Sequence, residues 1–233
     1  MTIPFSPDEN TDPNRITVLK NGEEANKDKT AVSFGQKTGT LTLSTSGDSS
    51  RFVVGHEAFP YADVPEDSYC FDAVDWADAN GITEGTAAAA FSPELTCTRA
   101  QMVTFIWRAF GRPEPLTNDK PFSDLDEGAY YYKAVLWAYE NGIAKGIGGG
   151  LFDPDGTVTR AQCITFLYRA LGETAEGGNT FTDVSADAYY YDAVIWAVEK
   201  GIAFGTGDGR FSPDAPCMRA HIVTFLYRAY GER

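Results

Sequence analysis

Three arginines share one local pattern, and each stands where a cation is out of place. Arg99 lies in CTRAQM (97–102), Arg160 in VTRAQC (158–163) and Arg219 in CMRAHI (217–222). In the first two, a Thr followed three positions later by Gln reads as a capping box, each side chain satisfying the other residue's free backbone N–H at a helix start. The arginine is then the first helical residue, beside the positive end of the helix dipole. On a helical wheel Arg99 also lies opposite Gln101, amid Val103, Ile106 and Phe110. A guanidinium on that apolar side must be paired. One partner is internal, either Asp63, Asp124 or Asp183 or a loop carbonyl. The other is an anionic ligand, held by the guanidinium fork and the free N–H groups of the helix start. An arginine oriented internally and completed by ligand would combine the two.

Other residues add to a candidate binding site. Trp76, Trp137 and Trp196 each suit either a core or a platform on which a sugar ring stacks. Each shares its segment with a Gly-rich loop, containing Gly85, Gly146 or Gly205, where backbone can approach a ligand closely. In the YYY clusters at 130–132 and 189–191, one Tyr is expected to pack and another to face water.

Signals for other chemistry are weak. GDG (207–209) and DPDG (153–156) lack the ligand spacing and closing Glu of a calcium loop and read as turns. The four cysteines form no CxxC, and His56 and His221 are far from any Cys pair, which argues against a zinc site. No Ser/His/Asp or Cys/His arrangement is evident, so no enzyme and no cofactor are expected. Cys97 and Cys217 precede their helix caps and Cys163 sits in a first turn, the positions of a hydrophobic staple pairing with Met102, Ile222 and Val158. Reduced thiols are expected.

The elements that position these residues repeat. Aligning Asp63, Asp124 and Asp183 brings 63–111, 124–172 and 183–231 into register without a gap, keeping Tyr, AV, WA, GI, FxP, RA and TF in each. Every copy reads as helix, loop, helix. The first helix is expected over 69–80, with Tyr69, Ala73, Trp76 and Ala77 on one face. It should end in a Schellman turn at Gly81, as its counterparts do at Gly142 and Gly201. An extended loop follows, held by Pro93, Pro154 or Pro213. The second helix starts at the TRAQ segment and is apolar nearly all round, hence buried. Three such helices imply a shared central bundle with pseudo-threefold symmetry, the copies folding together. Residues 1–60 differ in kind: period-two alternation and an Asn21-Gly22 turn signal predict a small β-rich segment.

A chain 43% hydrophobic and 13% aromatic can build a substantial core, and a formal net charge of -14 opposes non-specific binding to nucleic acid or an anionic membrane. There is no apolar run long enough for a membrane span. The opening MTIPFSPDEN lacks the basic and apolar regions of a secretory signal, so the chain either stays inside the cell or is a mature or truncated piece.

The recurring FxDV/L at 122 and 181, AVxWAxxxGI, FxP and TRAQ resemble the S-layer homology domain, with repeats at 61–111, 122–172 and 181–231. The resemblance implies a mainly α, pseudo-threefold spindle within one monomeric chain. It also implies a surface protein of Gram-positive bacteria, held non-covalently on a secondary cell wall polysaccharide, often pyruvylated, in grooves between repeats. The family's TRAE-like motif supplies a groove arginine, which maps onto Arg99, Arg160 and Arg219. Copy three departs, with Met218 for the capping Thr and His221 for the third helical residue, and its groove is expected to be the weakest. Tyr61 stands where Phe is usual, and Gln101 and Gln162 stand where Glu is typical. An alternative role is a structural or protein-interaction module that keeps the fold while the carbohydrate sites have degenerated.

Overall fold

The computed structural model describes residues 2–4, 16–20, 23–24, 31–35, 40–44, 52–56, 59–116, 120–172 and 174–231. Two units divide the chain, Met1–Pro60 and Tyr61–Arg233. The alternating sequence of the first forms short strands: β1 (Thr2–Pro4), β2 (Ile16–Lys20), β3 (Glu23–Glu24), β4 (Ala31–Gly35), β5 (Thr40–Ser44) and β6 (Phe52–His56). They pair antiparallel in two three-stranded sheets, ordered β1-β5-β4 and β3-β2-β6. Lys20 pairs with Glu23, in keeping with the hairpin expected there; Asn21 and Gly22 lie outside the described residues.

The second unit is mainly helical. Its six α-helices among the described residues are α1 (Phe71–Ala79), α2 (Arg99–Ala109), α3 (Tyr132–Glu140), α4 (Arg160–Leu171), α5 (Tyr191–Glu199) and α6 (Arg219–Leu226). None is long and apolar enough to cross a membrane. Helix α1 starts two residues later than the periodicity suggests, because Ser68 to Cys70 fold into a turn whose Ser68 carbonyl takes the Phe71 N–H at 3.1 Å. It ends as expected. Gly81 has φ of 62°, its N–H bonds the Asp78 carbonyl, and the Ile82 N–H bonds that of Ala77, the two bonds of a Schellman turn. Gly142 and Gly201 close α3 and α5 in the same way.

The second helices start at real capping boxes. Thr98 Oγ1 accepts from the Gln101 N–H at 3.2 Å while Gln101 Oε1 accepts from Thr98 at 3.0 Å, and Thr159 and Gln162 repeat the exchange. Helix α6 departs at both ends. Met218 has no hydroxyl to offer, and only His221 Nδ1 accepting from the Met218 N–H at 3.4 Å remains. Its C-terminus widens into a π-helical turn over Tyr227–Gly231.

Burial follows the apolar wheel: Met102, Val103, Phe105 and Ile106 are buried, with their counterparts on α4 and α6. Thr104, on the polar stripe, is buried too, and its hydroxyl bonds back to the Ala100 carbonyl at 2.8 Å. Helices α2, α4 and α6 touch one another pairwise. Each second helix also packs against the first helix of another repeat: α2 on α3, α4 on α5, and α6 back on α1. All four cysteines are buried free thiols, and both members of each expected staple are buried. Burial pushes the Cys97 thiol up to about 12.

Candidate functional site

The backbone preceding the three second helices is tied into a closed ring. The Cys97 N–H bonds the Cys217 carbonyl at 3.0 Å, Val158 bonds Cys97 at 3.0 Å, and Cys217 bonds Val158 at 2.9 Å. Each helix start then leans on a neighbouring repeat's loop. The N–H groups of Arg99 and Ala100 bond the Gly156 and Pro154 carbonyls, those of Arg160 and Ala161 bond Ala215 and Pro213, and those of Arg219 and Ala220 bond Leu95 and Pro93. The first two N–H groups of every second helix are therefore taken by protein and are not free to hold an anion.

The arginine side chains follow the same cycle. Arg99 Nε donates to the Phe152 carbonyl at 2.9 Å, Arg160 Nε to Phe211 at 3.1 Å and Arg219 Nε to Phe91 at 2.8 Å. Each guanidinium also lies over two rings, Arg99 at 4.9 Å from the centroid of Phe152 and 5.5 Å from that of Phe166. With 4%, 7% and 4% of their surface exposed, the three are core residues despite their charge. Of the internal partners open to the sequence, the loop carbonyl is the one used. The aspartates do other work: Asp124 accepts from the Phe152 and Asp153 N–H groups at 2.9 and 2.7 Å, and Asp63 and Asp183 hold the turns at Phe91 and Phe211 likewise. No ion pair joins them to the three arginines among the described residues.

The glycines are explained internally. A side chain at Gly146 would stand 2.5 Å from both the Leu151 carbonyl and the Phe122 ring, and Gly85 and Gly205 face the same crowding from Tyr61 and Ala90, and from Phe181 and Arg210. The close approach that requires glycine is the protein's own. The tryptophans separate from the arginines. Trp196 is 0% exposed against Tyr168, Trp137 is 8% exposed against Phe110, and Trp76, half-buried, lies 5.7 Å from Tyr227. A ring wholly closed to solvent has no face for a sugar, so Trp196 in this conformation is a packing residue. Trp137 lines a separate cavity of about 440 Å³ with Phe110, Asn141 and Arg169.

What does open to solvent is a groove of about 300 Å³ built from all three repeats. Thr83, Glu84, Gly85, Gln101 and Arg108 come from the first, Tyr130 from the second and Arg219 from the third. Arg219 forms its inner end, one terminal amino group donating to Thr83 Oγ1 at 3.1 Å. Arg108 spans its wall, bonded to the Ile82 carbonyl at 3.2 Å and paired with Glu84 at 3.2 Å. Tyr130 is exposed and set edge-on to Tyr131, as Tyr189 is to Tyr190, so one tyrosine of each cluster does face water. Burial raises the Tyr130 and Tyr189 hydroxyls above their ordinary value, and burial with Cys70 nearby takes Tyr69 to about 12; all three are therefore neutral donors at neutral pH. The structure thus brings Gly85 and Arg219 together, as Arg160 meets the Gly205 loop by bonding the Phe204 carbonyl at 3.0 Å. Sequence reasoning did not single out Arg108, Arg169 and Arg228 as site residues, although their recurrence at the C-terminal end of every second-helix segment was a usable signal.

Such a fold, three helix-loop-helix units cross-tied by buried arginines with a polar groove where they meet, is that of a tandem-repeat helical module. The S-layer homology domain model matches residues 60–103, 121–163 and 180–222, and the chain belongs to that family. The surface-layer 125 kDa protein of Lysinibacillus sphaericus is 34% identical over 117 residues, half of this chain and 10% of that protein. An endoglucanase of Bacillus sp. (strain KSM-635) is 33% identical over 184 residues, 73% of this chain and 19% of the enzyme. The cellulosome-anchoring protein of Acetivibrio thermocellus is 34% identical over 89 residues, 36% of this chain and 20% of that protein. The chain thus spans a fifth or less of these relatives' length.

Proposed function

We propose that this chain is a non-covalent cell-wall anchoring module at the bacterial surface, binding an anionic, pyruvylated secondary cell wall polysaccharide in the grooves between its repeats. The observation that carries this reading is the groove in which Arg219, Gly85 and Tyr130, from three different repeats, line one open cavity. The repeat family and the anchoring and surface-layer names of the relatives support it. Three grooves at matching positions follow if the repeats are arranged as a pseudo-threefold spindle, an arrangement favoured by the closed hydrogen-bond ring of Cys97, Val158 and Cys217 and by the return of α6 to α1. Arg99, Arg160 and Arg219 act in it chiefly by position: a buried guanidinium, fixed by its Nε, keeps terminal N–H groups for a carboxylate. The chain covers only 19% of the endoglucanase it resembles, and catalysis is not part of the proposal.

A second reading, a structural or protein-interaction module with degenerate sites, draws on the closed faces of Trp196 and on the internal partners that each arginine already has. Sedimentation with cell-wall sacculi separates the two. The protein is expected to pellet with native walls and to remain in solution with walls stripped of their secondary polymer. Failure to pellet with native walls would overturn the anchoring reading.

A further inference from the structure

The residues that match the lining of the Arg219 groove differ between repeats, most sharply in charge at Glu84 in the first, Lys145 in the second and Phe204 in the third. Resting on the anchoring reading, we propose that the repeats do not bind alike and that the polymer's carboxylate is taken at the second repeat, by Arg99 and Arg169 with Lys145 at the rim.

The arginines themselves differ. One terminal amino group of Arg219 is bonded to Thr83 Oγ1, and one of Arg160 to the Phe204 carbonyl. At Arg99 the residue matching Thr83 is Ala144, which, like Ala203 beside Arg160, has no side-chain acceptor, and neither terminal amino group of Arg99 has a hydrogen bond among the described residues. No buried side-chain nitrogen lacks a partner among those residues, so these groups keep contact with solvent although Arg99 is only 4% exposed. Two donors in fork geometry, unpaired and facing an opening, fit a carboxylate.

The outer arginines differ in the same sense. Arg108 is paired with Glu84 at 3.2 Å, and Arg228 lies 5.3 Å from the centroid of the Phe204 ring. Arg169, held by the Ile143 carbonyl at 3.3 Å, has neither an acidic partner among the described residues nor a ring over it, and Lys145 adds an exposed charge two residues beyond Ile143. Arg99 lies 5.5 Å from the centroid of the Phe166 ring, one turn before Arg169 on α4, and its Nε holds the Phe152 carbonyl, which brings both arginines to the second repeat. The acidic neighbours of Arg99 are Asp124, whose counterparts recur in every copy, and Asp153, which replaces a Ser. With Lys145 offsetting Asp153, the second repeat keeps the least compensated cations, whereas Glu84 pairs with Arg108 in the first and the Phe204 ring lies against Arg228 in the third.

Calorimetric titration of the full chain with a hexose pyruvate ketal, and with its uncharged methyl ester, tests this. The wild type should show a single site that prefers the acid. Lys145→Glu should weaken it by about fivefold, the scale of one exposed charge interaction. Glu84→Lys should add a second site. Both positions are exposed, so neither variant threatens the fold. Wall binding without ketal binding, ketal binding indifferent to Lys145→Glu, or unchanged stoichiometry in Glu84→Lys overturns this inference and leaves the anchoring reading standing. Failure of the wild type to bind walls removes the anchoring reading and this inference with it.

Discussion

The surroundings of Arg99, Arg160 and Arg219 form a floor that is almost the same in each repeat, and the exposed residues matching Glu84, the rim, are three different ones. Every floor arginine donates its Nε to a phenylalanine carbonyl of another repeat and lies over two rings, with distances that agree within a few tenths of an ångström. At the rim the matching residues are an acid, a base and an aromatic: Glu84, Lys145 and Phe204. The floor serves a closed ring in which each repeat completes the next, so a change in one copy unseats a neighbour. The rim side chains are exposed and meet at most an outer arginine, so they are free to diverge. Stability should therefore track the floor and selectivity the rim.

The largest break in that comparison comes at the floor. Arg219→Ala removes two hydrogen bonds and strands the buried Phe91 carbonyl, and is expected to cost about 3 kcal/mol in urea unfolding. Lys145→Glu should unfold within about 0.5 kcal/mol of the wild type. A cost for Arg219→Ala below about 1 kcal/mol would mean that the arginine is not structural. Gly146→Ala is next. Its positive φ of 76° and the 2.5 Å approach of Leu151 and Phe122 predict a loss of about 2 kcal/mol, readable as a lower melting temperature with wall binding retained per folded molecule.

The aspartates give the floor a pH dependence. Burial raises the Asp124 carboxyl, but the N–H groups of Phe152 and Asp153, with the charge of Arg99, outweigh it and hold the group below the ordinary carboxylate value. Asp183 is lowered in the same way. A group lowered by folding stabilises fully above its unfolded value, about 3.9, and that stability drains away as pH falls toward the folded one. Urea midpoints should fall below pH about 4 in the wild type and fall less steeply in Asp124→Asn. Identical slopes would show that these turn bonds do not contribute.

How much of this was legible beforehand depended on whether a residue's partner was near in sequence. The Schellman glycines, the capping boxes and the two-periodic strands are local signals, and the structure has them where Gly81, Thr98 and Ile16–Lys20 suggested. The burial of Arg99 was readable from its wheel. Its partner was not, because the Phe152 carbonyl is 53 residues away and a backbone oxygen leaves no mark in the side-chain alphabet. The glycines misled for a related reason: a loop glycine signals close approach without saying to what, and at Gly146 the neighbours are the chain's own Phe122 and Leu151. The rim was missed because attention fell on what the copies share, whereas Glu84, Lys145 and Phe204 matter through their difference.

The smallest effect is expected at the start of α6, where the floor itself is uneven. Thr98 and Thr159 cap their helices with a hydroxyl, while Met218 leaves only the Nδ1 of His221 accepting a backbone N–H. Met218→Thr should return the missing acceptor to the His221 N–H and raise stability by about 1 kcal/mol, with Thr98→Met losing a similar amount. The outcome separates two ways of fixing a helix start. The N–H groups of Arg219 and Ala220 already bond the Leu95 and Pro93 carbonyls. If Met218→Thr leaves the melting temperature unchanged while Thr98→Met lowers it, those cross-repeat bonds are what hold α6, and the cap is dispensable in the one copy that has lost it.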